Sequence, residues 1–128
     1  MIHFILCGHG SYGSSLKESL EMLLPEVSEV SVIDFKKEMD IAHLTEKVMG
    51  KLNQLSDQPT IIFCDMLGGA PFKTFCIEVL DWKDKIVMAG VNLTGILEVY
   101  FQREDNLLNV ANRAIEVTKE SIDYFPKN

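Results

Sequence analysis

Phe4-Ile5-Leu6-Cys7-Gly8-His9-Gly10-Ser11-Tyr12-Gly13 is the stretch on which the fold turns. Its first four residues form a short apolar run, as in a strand buried on both faces. Glycines then break the run. Leu16, Leu20, Leu23 and Leu24 follow at i, i+4, i+7 and i+8 until Pro25 stops the pattern, which is the stripe of an amphipathic helix. A strand, a glycine-rich turn and a helix in succession open a β-α unit.

The alternation continues along the chain. Val30 to Phe35, Ile61 to Cys64 and Ile86 to Ala89 read as three further strands. Asp40 caps a second helix with the stripe Ile41, Leu44, Val48, Leu52 and Leu55. Pro71 suits the first turn of a third, which buries Phe72, Phe75, Cys76 and Val79. Beyond the fourth strand, Thr94 caps a short helix through Tyr100, and Leu107, Leu108, Ala111, Ala114, Ile115 and Thr118 mark a longer one. The order predicts an α/β fold: a doubly wound, mainly parallel sheet in the flavodoxin-like order 2-1-3-4, with helices on both faces. The tail Ser121 to Phe125 reads as an antiparallel C-terminal edge strand.

A length of 128 residues, 47% hydrophobic and 24% charged, fits one domain spanning 1–128, and no repeat or Pro/Gly/Ser-rich linker divides it. The chain starts at Met1 and stops just after the last element, so a complete domain is expected. No run reaches the ~20 apolar residues of a membrane span, and Ile2 to Cys7 is too short and lacks the basic lead of a signal peptide. A cytoplasmic location is expected. The net charge of −7 argues against nucleic acid as a partner. Cys7, Cys64 and Cys76 form no C-x-x-C pair, so they read as plain thiols, with no metal site.

Of the three histidines, His3 and His43 read as structural or solvated. His9 stands apart, at the carboxyl end of the first strand between Gly8 and Gly10, where ligands of open α/β sheets bind. Gly10 and Ser11 lead into a helix start, whose N–H groups favour an anion. Asp65-Met66-Leu67-Gly68-Gly69-Ala70-Pro71 repeats that arrangement after strand three. In the order 2-1-3-4 these two loops face one crevice. A carboxylate there can fix the imidazole tautomer and leave the other ring nitrogen as a nucleophile. His9 and Asp65 are therefore the candidate catalytic pair, with Gly10 and Ser11 on the anion-favouring turn beside them.

Gly8 to Gly13 also satisfies G-x-G-x-x-G, with Asp34 where a ribose-binding acid would stand. A dinucleotide-binding domain is thus an alternative, although it leaves the Asp65 loop without a role and the chain without room for a second half. No Gly-Lys-[Ser/Thr] follows a glycine run, so a phosphate-cradling P-loop is absent.

Gly8-His9-Gly10, Ile33-Asp34-Phe35, Asp65-x-x-Gly68-Gly69-x-Pro71-Phe72 and Gly90-Val91-Asn92-Leu93, in that order, resemble the enzyme IIA component of the sugar phosphotransferase system, mannose/fructose/sorbose family. The resemblance implies a cytoplasmic phosphoryl carrier. It would accept a phosphoryl group on His9 from the histidine-containing phosphocarrier protein and pass it to enzyme IIB, which serves the membrane sugar permease subunits. It also implies Asp65 as the orienting acid, Gly10, Ser11, Gly68, Gly69 and Ala70 as phosphoryl-binding loop residues, a homodimer and no cofactor. A regulatory phosphohistidine module and the phosphotransfer subunit of dihydroxyacetone kinase resemble the same pattern. The chain departs from the family at Ala70, where a hydroxyl residue is common, and at Thr94-Gly95, where Pro-Met is common.

Overall fold

In the computed structural model, which describes residues 1–127, the apolar runs form β1 (His3–His9), β2 (Val30–Phe35), β3 (Thr60–Cys64) and β4 (Lys85–Ala89). The helices are α1 (Tyr12–Leu23), α2 (Ile41–Gln54), α3 (Ala70–Glu78), α4 (Leu93–Tyr100) and α5 (Leu107–Glu120). All strand pairs are parallel and their order is β2-β1-β3-β4. The flavodoxin-like α/β expectation holds, and each predicted strand begins within one residue of the observed one.

Helices cover both faces of the sheet. On one side Leu20 and Leu24, with Ile96, Val99, Val110, Ala111 and Ala114 from α4 and α5, close over Phe4, Leu6, Ile61 and Phe63. On the other, Leu44, Val48 and Leu52 of α2 and Phe75 of α3 close over Ile5, Cys7, Ile62 and Cys64. Each fully buried Leu, Ile or Phe stabilises the fold by about 1.5–3 kcal/mol relative to exposure. The Phe4 and Phe63 rings meet edge to face at 4.9 Å. Gly13 lets α1 lie close on β1, since a Cβ there would stand 2.5 Å from the Leu6 carbonyl oxygen.

Four local expectations change. The tail Ser121–Phe125 forms no strand; it is exposed and extends from α5 without pairing to the sheet. The α4 cap is Asn92, whose Oδ1 accepts from the Gly95 amide at 2.9 Å, and not Thr94, which lies inside the helix. Leu23 and Ile41 lie at the margins of their stripes and are 55% and 53% exposed. In α5 the buried face is Val110, Ala111, Ala114 and Thr118, leaving Leu108 and Ile115 exposed. Small residues hold that face because α4 approaches closely: a Cβ on Gly95 would stand 2.9 Å from the Ala114 carbonyl oxygen.

His3, at the amino end of the sheet, is a buried structural histidine. Its Nδ1 lies 3.0 Å from Glu29 Oε2 and its Nε2 2.7 Å from Ser31 Oγ. Glu29 adopts φ 56°, a left-handed conformation unusual for a non-glycine residue. Its carbonyl is held by the Phe4 amide and the Arg103 guanidinium, and its carboxylate by Gln58. Burial lowers the His3 pKa below 6.5, against the raising influence of Glu29. As pH falls through 6.5 the unfolded chain therefore takes up a proton that the folded chain refuses, and stability declines. Glu29, held below 4.5 first by its bond to His3, adds a further loss at lower pH. Urea midpoints measured from about pH 7 to 5 should fall for the parent and stay flatter for His3→Gln.

Candidate functional site

The β1–α1 and β3–α3 loops leave neighbouring strands toward opposite faces, so a crevice opens between them at the carboxyl end of the sheet. His9, the last residue of β1, enters it from one side, and Asp65, directly after β3, from the other. The loops turn where left-handed backbone is required: Gly10 has φ 61° and Gly68 has φ 78°.

One carboxylate oxygen grips His9 twice. Asp65 Oδ2 accepts from the His9 backbone amide at 2.9 Å and lies 2.7 Å from His9 Nδ1. Its partner Oδ1 accepts from the Met66 amide at 2.9 Å, which fixes the carboxyl plane. Partial burial pushes the Asp65 pKa up, but the His9 amide, the His9 ring and the Met66 amide together outweigh it and hold the group below its ordinary value. With a carboxylate at Nδ1, the favoured neutral tautomer carries its proton there and leaves the Nε2 lone pair free. The His9 side chain is 46% exposed while that of Asp65 is only 14% exposed, so the anchor is sheltered and the ring is open to a partner.

The loop residues divide the remaining work. Gly69 takes its place by lacking a side chain, because a Cβ there would stand 3.0 Å from His9 Cε1. Its amide donates to the Met66 carbonyl at 3.3 Å, and the Gly10 amide donates to Phe35 at 2.8 Å. Among the described residues, the amides of Ser11, Gly68 and Ala70 carry no protein acceptor. Ser11 and Gly69 stand at the starts of α1 and α3, where the helix dipole favours an anion. Asp65 and Gly69 thus meet the His9 ring itself, while Gly10, Ser11, Gly68 and Ala70 belong to the two loops that frame it. His3 and His43 lie elsewhere in the sequence-to-structure map, one buried in β1 and one exposed on α2.

Sequence reasoning did not place two neighbours of His9, although it quoted Phe35 within the Ile33-Asp34-Phe35 landmark. Phe35, paired with His9 in the β1–β2 register, sets its ring 6.0 Å from the imidazole. Lys36, the next residue, donates from Nζ to Ser11 Oγ at 2.6 Å. Only the strand register places them here, and no local motif encodes it. Asp34, weighed above as a ribose ligand, instead accepts from the Ser14 amide at 3.0 Å and the Ser14 hydroxyl at 2.6 Å. Its carboxylate is occupied in tying β2 to α1.

Among the described residues, no helix is long and apolar enough to cross a membrane. Comparison with known proteins bears on what this crevice belongs to. The chain is 29% identical to the "PTS system fructose-specific EIIA component" of Bacillus subtilis, over 96% of this chain and 90% of that protein. It is 32% identical to the "PTS system sorbose-specific EIIA component" of Lacticaseibacillus casei, over 77% of this chain and 71% of the relative. Among solved structures, the mannose/sorbose-specific IIA subunit of the phosphotransferase system from Enterococcus faecalis superposes with a TM-score of 0.91 at 19% identity. That superposition spans 98% of this chain and 96% of the other and shows a shared fold. The family model described as "PTS system fructose IIA component" matches residues 3–116, and the chain belongs to that phosphotransferase-system family, EIIA-man.

Proposed function

We propose that this chain is a phosphoryl carrier that accepts a phosphoryl group on His9 Nε2 and hands it to a second protein. The observation that carries the reading is the double grip of Asp65 on the His9 amide and Nδ1, at 2.9 and 2.7 Å, which leaves Nε2 of the half-exposed ring without a protein partner among the described residues. In the forward step the Nε2 lone pair attacks the phosphorus of a phosphohistidine on the histidine-containing phosphocarrier protein. The P–N bond of the donor breaks and its electron pair returns to the donor imidazole. As Nε2 gives up its pair the His9 ring gains positive charge, which the Asp65 carboxylate offsets across the Nδ1 proton. The loop amides of Ser11, Gly68 and Ala70 supply donors for the phosphoryl oxygens. Transfer to enzyme IIB repeats the step with the roles exchanged. Phosphoryl transfer is mostly positioning and charge stabilisation, so this set needs no dissociable cofactor or metal.

The names of the relatives support this reading, since each is a phosphotransferase-system EIIA component. In this reading His9 is the acceptor and Asp65 its orienting acid, Ser11, Gly68 and Ala70 offer amides, and Gly10 and Gly69, whose amides are engaged, serve through backbone turn and small size. Incubation with the carrier protein and its phosphodonor tests the function, with the outcome read as one phosphoryl group on the intact chain. A chain that stays unmodified while an authentic EIIA is labelled alongside it would remove the proposal.

The same reading includes a homodimer. The exposed tail carries Ile122, Tyr124 and Phe125 and leaves α5 beside the open edge of β4, where Asn92 Nδ2 donates to Ser121 Oγ at 2.8 Å. An unpaired edge next to an apolar segment suits pairing with a second copy. Light scattering at micromolar concentration should give twice the chain mass, and truncation before Ser121 should give the monomer. A parent protein that remains monomeric would count against this assembly.

A further inference from the structure

Lys36 makes a choice that its charge alone does not explain. Its Nζ lies 3.8 Å from Asp34 Oδ2, a carboxylate already occupied by Ser14, but only 2.6 Å from the neutral hydroxyl of Ser11. Ser11 is the N-cap residue of α1, yet its side chain makes no capping bond. A hydroxyl that accepts from an ammonium keeps its own proton to donate, and among the described residues that proton meets no protein acceptor. Ser11 stands two residues from His9, and Lys36 directly follows Phe35, the residue paired with His9 across β1 and β2. Lys36 is 42% exposed on its side chain and can swing without breaking the core.

We infer that Lys36 and Ser11 form a cationic donor arm for the phosphoryl group on His9, with Lys36 supplying charge and Ser11 an oriented O–H. The inference rests on the phosphoryl-acceptor reading of His9. Phosphate oxygens carry more negative charge than a serine hydroxyl, so the ammonium gains by shifting toward them once the group arrives. The Ser11 hydroxyl sets the resting position of the lysine, and Asp34 at 3.8 Å adds only a longer-range attraction. In a chain of net charge −7, one local cation also reduces the repulsion that an incoming phosphoryl donor meets.

A small donor separates this role from partner docking. Potassium phosphoramidate should label His9 of the parent chain. Lys36→Met should slow that labelling on the order of 5 to 10-fold at low salt, with the difference shrinking at high salt as an exposed charge is screened. Lys36→Arg should recover most of the rate, and Ser11→Ala should lose less than Lys36→Met. The Lys36 Nζ resonance should also shift when His9 is phosphorylated. A parental labelling rate in Lys36→Met together with an unmoved Nζ resonance would overturn the arm while leaving the His9 reading intact. A parent chain that takes no label on His9 would instead overturn the reading on which the arm rests.

Discussion

His9→Ala should reduce phosphoryl acceptance from the carrier protein to background, with the fold unchanged. The parent should take one group per chain, and peptide mapping should place it on residue 9. The geometry supports an all-or-none result because the other two histidines are not equivalent substitutes. His3 is buried with both ring nitrogens engaged by Glu29 and Ser31, and His43 stands on the exposed side of α2. Neither pairs a carboxylate at one nitrogen with an open second nitrogen beside unpaired loop amides. The His9 ring is nearly half exposed, but its removal withdraws one donor from the sheltered Asp65 carboxylate, so stability should fall by about 1 kcal/mol without loss of the fold. Circular dichroism and urea midpoints of the variant check that expectation. Label retained in His9→Ala, or mapped to residue 3 or 43, would put the acceptor elsewhere.

Asp65→Asn should slow phosphorylation of His9 on the order of 10 to 100-fold in a single turnover, the usual loss when the group that orients a reactive imidazole is changed. Two distinct effects add. The amide oxygen of asparagine can still accept from the His9 backbone, but its NH2 can face Nδ1, donate to it and favour the tautomer with Nε2 protonated. The variant also lacks the negative charge that offsets the ring as the P–N bond forms. Nitrogen NMR should show the Nδ1–H form dominant in the parent and a greater share of Nε2–H in the variant. A variant that matches the parent in both rate and tautomer would reduce Asp65 to a loop anchor for Met66.

The strands and their order were legible because apolar runs bounded by glycine leave little choice of element, and the switch point between β1 and β3 follows from that order. His9 and Asp65 were legible for the same reason, since each follows a strand that the pattern delimits. What could not be read depends on which side chains meet across the sheet. Phe35 and Lys36 reach the crevice through the β1–β2 register, a property of two segments that neither contains alone. The cap of α4 was misplaced because Asn92 and Thr94 are both capable caps and only the backbone decides. The tail pattern of apolar residues was visible, but apolarity alone does not dock a segment, and within one chain Ser121–Phe125 stays unpaired although the β4 edge is open.

The depth difference between the two residues of the pair has a consequence for where the reaction can be completed. Asp65 is sheltered, while the His9 ring stands half in solvent with only its Nδ1 engaged by the protein. Under the proposed role, such a surface holds one half of a reaction chamber and leaves the lid to be brought by whichever protein docks. Donor and acceptor would each contribute a wall, and water would be excluded only while the two are joined. A carrier built this way leaves its cargo within reach of whichever partner docks, because the ring that would bear it is open at rest. The chemical step and the choice of partner then become a single event.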